Sequence, residues 1–579
     1  MTLAAFVLFP LLGWAFFRSM PLVLAVPATL VGGYLLLPAS IGYDAPLLPS
    51  INKESMSALT TIAFAIAYTR PAYPALTRRS GAPAVEADVR PGWIPQALWA
   101  RVLLALALFG PGMTALTNMH PVNSGPMMLP AMTPYDALNL IQTSLIALLP
   151  LVVGRKYLAS ANGHTAILLV LATAGLLYSL PTLAEVRLSP QFHNIVYGFF
   201  PHDFSQHIRG DGFRPVVFLQ HGLVLSLFLC VATLSILAYM RAIDGDRRVM
   251  YFFAAAYMTV VLVLSKSLGM VLVAAMTIPV VLFFSIRWQF VFAAAIAGAV
   301  FAYPVLRSSG FSPLSPVVSA VYSFNPSRAG SLDYRLQSED TLVAHANRKP
   351  VFGWGGWGRS EVFNAQGRLV SVRDGAWIIK LGQYGWAGLI SLLGLLVAPI
   401  VLLAAQSRTV QMTAATSGLC VVLAANLIDI VPNSGLTPLT WMMAGALLGH
   451  LDIVRARAGQ TATAPAGSAA PVAAASPALA RSGAGGPVHA RDAAPRVEAR
   501  TTEAAAPAPS DSAGAAPKHD LDKMPLAARL RARAVQNRAQ HGSNGADPSP
   551  PRGASPQEGA ATQPRYSRFA QTSPGRSGA

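Results

Sequence analysis

Residues 377–404 read WIIKLGQYGWAGLISLLGLLVAPIVLLA, a stretch of 28 residues with one charge. A run of that length spans a hydrocarbon core of about 30 Å as a helix. Inside lipid a lone segment must satisfy its own backbone groups, and only a helix does so. The run has many counterparts. Comparable apolar segments fall at 2–17, 20–38, 55–69, 94–116, 134–153, 164–184, 216–239, 249–265, 267–286, 288–306, 410–431 and 437–453. Of 579 residues, 53% are hydrophobic and 12% charged, which excludes an ordinary soluble domain. The expected fold is all-α: a polytopic transmembrane bundle of about 12–13 helices, with a large loop containing short helices.

The first apolar run has no cation ahead of it, and Arg18 follows it. That order is the reverse of a secretory signal peptide, so the run reads as a retained helix. Cys230 and Cys420 both lie in apolar runs and behave as small hydrophobes. Arg18, the Arg70/Arg78/Arg79/Arg90 cluster, Arg155 with Lys156, Arg241 with Arg247 and Arg248, Arg287 and Arg408 occupy alternate connections. The positive-inside rule makes that side cytoplasmic and places segments 117–133, 185–215 and 307–376 outside. The chain divides into N-terminal helices with a cytoplasmic loop (1–93), a main transmembrane domain (94–453) and a basic Ala/Pro-rich tail (454–579). The tail lacks large apolar residues and is expected to be disordered and cytoplasmic. Within it, Leu521–Arg538 has the spacing of a short basic helix for anionic lipid, against the plainer reading of a solvated basic stretch. No internal repeat supports a duplicated transporter architecture.

Nucleotide-binding and hydrolase signatures are absent: no Walker A loop, HExxH, CxxC or GxSxG. Asp244-Gly-Asp246 has the form of a metal-binding D-x-D pair but sits beside Arg247 and Arg248, as a solvated turn would. The two outer loops are richer. Segment 307–376 carries Arg307, Arg328, Arg335, Arg348, Lys349, Arg359, Arg368 and Arg373. Guanidinium forks grip phosphate bidentately, although each of these cations also serves solubility.

Within that loop, Ser331–Asn347 has a helical pattern that offers Leu332, Leu336, Leu342, Val343 and Ala346 for burial, and Pro350 ends it. Arg335 and Glu339 lie four apart on it, able to pair or to frame one site. PVFGWGGWG (350–358) then forms a glycine-rich turn whose backbone can approach a ligand. Trp354 and Trp357 there offer faces for a sugar ring or anchors at the bilayer surface.

The 185–215 loop and its exit gather His193, His202, Asp203, His207, Arg209, Asp211, Arg214 and His221. His202, Asp203 and His207 have metal-ligand chemistry, but their spacing and number match no familiar site. Arg214, His221 inside the following membrane run, and Lys266 between two runs are costly placements that point to a polar cavity, with snorkelling as the other explanation for Lys266.

A helix bearing Arg335, P-x-F-G-W-G at 350–355, Asp374-Gly375, nine residues, and G-x-x-G at 385–388 leading into a membrane helix is a recognisable order. It resembles the O-antigen ligase and Wzy-type polysaccharide polymerase superfamily over roughly residues 94–453, best over 307–400. The resemblance implies an inner-membrane glycosyltransferase whose donor is a glycan on undecaprenyl pyrophosphate, used at the periplasmic face without metal or cofactor. It implies that Arg209, Arg214 and Arg335 bind the pyrophosphate. The partners it implies are the lipid-linked glycan, membrane lipid and a chain-length regulator or polysaccharide export partner, with no nucleic acid. The ligase pattern begins with a histidine where this chain has Asp374-Gly375, which favours a polymerase over a ligase. The expected chemistry is single displacement with inversion, with Asp374 or Glu339 accepting the acceptor proton. A transporter or flippase of the same pathway is the alternative from another class, and a scaffold acting through its basic tail is a weaker third.

Overall fold

The computed structural model describes residues 1–44, 49–69, 91–124, 126–209, 212–324 and 326–463. Arg70, Arg78, Arg79, Arg90, Asp211 and residues 464–579, including Leu521–Arg538, lie outside the described residues. Sixteen helices order the described chain. They are α1 (Thr2–Ser19), α2 (Leu22–Leu36), α3 (Lys53–Tyr68), α4 (Leu98–Leu116), α5 (Pro134–Tyr157), α6 (Ala161–Leu188), α7 (Phe192–Tyr197) and α8 (Gly222–Ala242). There follow α9 (Arg247–Leu264), α10 (Leu268–Phe283), α11 (Ile286–Ser308), α12 (Ser315–Phe324), α13 (Pro326–Ala346), α14 (Ala376–Gln406), α15 (Ala414–Asp429) and α16 (Pro438–Thr463). Three two-stranded antiparallel ribbons sit in the connections: β1–β2 (Gly42–Tyr43, Ile51–Asn52), β3–β4 (Val122–Ser124, Met127–Leu129) and β5–β6 (Ile208–Arg209, Gly212–Phe213).

Each of the thirteen apolar runs contains a helix, and the protein is a multi-spanning membrane helix bundle. Among the described residues eight helices are long and apolar enough to cross a membrane, namely α1, α4, α5, α6, α8, α9, α11 and α14. The shorter apolar helices α2, α10 and α15 accompany them. α8 is buried almost all round, with α6, α9, α10 and α15 packed about it, while α11 lies against α14 and α15. Boundaries differ from expectation at several runs; α8, for example, starts at Gly222 and not at 216. α16 continues past residue 453 to Thr463, because Arg455, Arg457 and the alanines are good helix formers and the first proline comes only at 465.

α5 and α16 cross with their backbones in contact. A Cβ on Gly154 would collide with the Met442 carbonyl, one on Gly445 with that of Leu151, and one on Gly449 would sit 2.6 Å from that of Arg155. Small residues at such a crossing let dispersion act where lipid supplies no hydrophobic drive between helices. The close approach also seats a buried ion pair, Arg155 Nη2 to Asp452 Oδ2 at 2.6 Å, with side chains 1% and 3% exposed. Arg155 donates further to the Gly92 carbonyl, and Lys156 to that of Pro91 at 3.0 Å. Arg155→Ala should lower stability by about 3–5 kcal/mol, since it strands a buried carboxylate, whereas Arg155→Met with Asp452→Leu should recover most of the loss. Thermal melts of the detergent-purified single and double variants measure this; equal losses in both would show that packing, and not the stranded charge, is responsible.

The break in α14 organises the loop face of the bundle. Gly385 has φ 64° and ψ −166°, so the helical ladder stops there and restarts. The 350–355 loop supplies what the break removes. Trp354 N and Gly355 N donate to the Gly382 and Gln383 carbonyls (both 2.9 Å), and Trp386 N and Ala387 N donate to the Pro350 and Val351 carbonyls (2.7 and 3.1 Å). At its start, PVFGWGGWG brings its backbone against α14. Gly353 at φ 69° has no room for a Cβ, which would lie 2.5 Å from Gly385 N.

Candidate functional site

α13 forms where the sequence places a helix and buries Leu336, Leu342, Val343 and Ala346. Its anchor is Arg307, at the end of α11 and 2% exposed. Arg307 Nε meets Glu339 Oε2 at 3.2 Å, and its Nη2 meets Asp340 Oδ1 and the Leu336 carbonyl, each at 2.8 Å. Tyr303 donates to the same Glu339 oxygen at 2.8 Å. Burial raises the Glu339 carboxyl above its ordinary range against the pull of Tyr303 and Arg307. Glu339 is thus occupied as the socket for Arg307 and does not pair with Arg335.

Arg335 pairs instead with Asp374, Nε to Oδ2 at 3.2 Å, with side chains 48% and 33% exposed. Asp374 immediately precedes Gly375, the N-cap of α14, where the helix dipole favours a negative charge. Burial pushes its carboxyl above the usual range while Arg335 pulls it back. Two residues on, Ala376 lines a cavity of about 290 Å³ bordered by α3, α5, α14 and the start of α16. Glu54, Lys380, Ser434, Thr437 and Trp441 also face it. Glu54 lies within electrostatic range of both Lys53 and Lys380. Sequence reading missed Glu54 and Lys380; their signal was an ionisable residue at or just inside each of two apolar runs, 55–69 and 377–404.

Other loop cations are committed to architecture. Arg359, 1% exposed, donates to the carbonyls of Trp354 (3.1 Å), His120 (3.0 Å) and Pro130 (2.8 Å) and to Asn118 Oδ1 (3.1 Å). Lys349 Nζ reaches the same Asn118 oxygen at 2.7 Å, and Asn118 Nδ2 donates to the Gly353 carbonyl at 3.0 Å. Arg373 pairs with Glu361. Trp354 stacks on His345 with ring centroids 4.5 Å apart and donates from Nε1 to the His345 carbonyl at 2.8 Å, so it packs within the loop. Trp357 is 48% exposed, at φ 60°.

Arg209 and Arg214 belong to a different cluster. β5–β6 packs on α6, whereas α13 packs on α11, α12 and α14. Among the described residues no hydrogen bond or ion pair joins either arginine to α13. Arg214 donates to the Lys266 carbonyl at 3.1 Å, and Lys266 Nζ to that of Arg209 at 2.9 Å, so Lys266 clasps the ribbon. Glu185 ties the loop back: its carboxylate accepts from Phe192 N at 2.9 Å and from Val216 N and Val217 N at 2.7 Å. Val217 holds φ 55°, a costly conformation for a β-branched residue. That turn, and not a helix, precedes α8. His221 is therefore the N-cap of α8, its Nδ1 accepting from Leu223 N at 3.0 Å, and does not sit within the membrane run as expected.

The turn carries His221 to His202 and His207, and one ring nitrogen from each lies within 4.8 Å of the others. Asp203, the third member of the linear grouping, instead caps the 3-10 turn Phe204–His207 through Ser205, with N···Oδ1 2.9 Å. Burial, then the neighbouring histidines and arginines, lowers His207 to about 4 and His221 to about 3, so both rings are neutral near pH 7. Among the described residues, neither nitrogen of the fully buried His207 has a hydrogen-bond partner, nor does Nδ1 of His202. Leaving such a group unmatched costs about 1–3 kcal/mol.

Bundle and loops together define a polytopic, mostly helical membrane protein of the class that includes membrane-embedded enzymes and transporters. In comparisons with protein-family models and with curated proteins, nothing matches the chain.

Proposed function

We propose that the protein is an integral membrane glycosyltransferase that lengthens a glycan carried on undecaprenyl pyrophosphate, at the face the positive-inside rule places outside. The observation that carries this reading is the half-exposed Arg335–Asp374 pair at the start of α14, beside a cavity lined by Glu54 and Lys380. The acceptor hydroxyl attacks the anomeric carbon, Asp374 accepts its proton, and the bond from that carbon to the pyrophosphate oxygen breaks. Arg335 matches the charge that develops on the leaving group. Glu54 and Lys380 offer hydrogen bonds to sugar hydroxyls. Among the two family activities, polymerisation ranks ahead of ligation because Asp374-Gly375 stands where the ligase pattern has histidine.

Purified protein in lipid nanodiscs, given a lipid-linked oligosaccharide, should yield longer glycans. Arg335→Ala and Asp374→Ala should each cut the product by about 100-fold or more while the gel-filtration profile stays that of wild type. The rate should fall as pH falls, with an apparent pKa above the ordinary aspartate value, because protonation removes the base and burial has moved that pKa upward. Undiminished product from both variants sinks the assignment, and retention of configuration at the new linkage excludes single displacement. Glu54 and Lys380 within the bundle favour a second reading, a transporter or flippase. Movement of the lipid-linked glycan across a vesicle bilayer without any lengthening would select it.

A further inference from the structure

We propose that His202, His207 and His221 form a binding site for a divalent transition-metal ion of the zinc class. The site is independent of the transferase reading, which assigns no role to these three side chains together. Their ring centroids lie 4.8 Å (202–221), 4.7 Å (207–221) and 6.0 Å (202–207) apart. They come from separate elements: His202 from the loop ahead of the 3-10 turn, His207 from the end of that turn, and His221 from the cap of α8.

The packing alternative is a patch of aromatic rings, to which Phe200 adds a fourth at 5.4 Å from His207. It leaves one observation without a cause. A ring packed for its apolar faces does not need nitrogens, yet His207 is fully buried with both of them unmatched among the described residues. Neutral imidazoles are ligands for zinc, copper, nickel and cobalt. Three of them plus one open position make the donor set of a catalytic-type zinc centre. Bringing nitrogens that lie within 4.8 Å of one another onto one tetrahedral ion at about 2.0–2.1 Å requires each ring to move inward by at most about 0.8 Å. His221 must also give up its cap: a ring whose Nδ1 accepts the Leu223 amide carries its proton on Nε2, and coordination by either nitrogen ends that arrangement. One cap hydrogen bond is small against three coordinate bonds. The nearby Arg209 and Arg214 oppose a cation but favour an anionic fourth ligand, so water as hydroxide or a phosphate oxygen suits the open position.

Tag-free, full-length protein in detergent, stripped with chelator, is titrated with Co2+ and then Zn2+. The expected result is one Co2+ per chain with visible d–d absorption, displaced by Zn2+, and a zinc-dependent rise in melting temperature. His207→Phe and His221→Phe keep a ring in place and should each weaken binding by at least about tenfold. Absence of stoichiometric binding by the wild-type chain overturns the proposal, whatever the variants do. So does binding that survives in the His202→Phe/His207→Phe/His221→Phe protein.

Discussion

Gly385→Ala should prevent accumulation of stably folded protein. At φ 64° and ψ −166° Gly385 occupies a region open essentially to glycine alone, so a side chain costs about 1–3 kcal/mol before any contact is considered. The new Cβ would then lie 2.5 Å from the Pro350 carbonyl oxygen and collide with that of Val351. Neither can retreat, because both accept hydrogen bonds from α14 itself, and overpacking against fixed backbone adds about 1–3 kcal/mol more. The sum is a large part of the about 5–15 kcal/mol that holds an ordinary domain together. Gly353→Ala should behave alike, and the double variant should add little, since both residues serve one contact. Gly356→Ala is the control, for a Cβ there meets nothing within 4 Å. Gel filtration of heated detergent extracts ranks the three; a Gly385→Ala protein as heat-stable as the control would show that the loop does not brace the break.

That brace marks where sequence reading stops. The helices were legible because a bilayer leaves a run such as 216–239 or 377–404 one way to satisfy its backbone. P-x-F-G-W-G was legible as a turn, since glycine permits positive φ. Its partner was not, because nothing local says that the free groups about Gly385 face it. Ion pairing failed for a similar reason. Arg335 and Glu339 have helical spacing, but an i,i+4 pair adds only about 0.2–0.5 kcal/mol. The buried Arg307 claimed Glu339, leaving Arg335 to Asp374, 39 residues ahead in sequence. The histidines were each noticed, two for their ligand chemistry despite a spacing that matched no familiar site and one as a misfit. Their meeting depends on the chain reversal that Glu185 holds at Val216 and Val217, and no periodicity encodes that.

The exchange of partners also separates the two carboxylates that sequence reading offered as bases. Arg307→Ala should lower stability by about 3–5 kcal/mol, because Glu339 is left buried without its cation and Leu336 O and Asp340 without their donor. Transfer should disappear with it, since α13 carries Arg335 and its seat on α11 is gone. Glu339→Gln is a milder change. The amide oxygen still accepts from Tyr303 and Arg307, so a loss of about 1 kcal/mol and a transfer rate within a few-fold of wild type are expected. Asp374→Asn should do the opposite, leaving the melting temperature in place and removing the proposed proton acceptor. Thermal melts and transfer rates on the same preparations place the three variants in separate classes. A Glu339→Gln protein that melts like wild type but no longer transfers would move the base to Glu339 and leave Asp374 as the partner that aims Arg335.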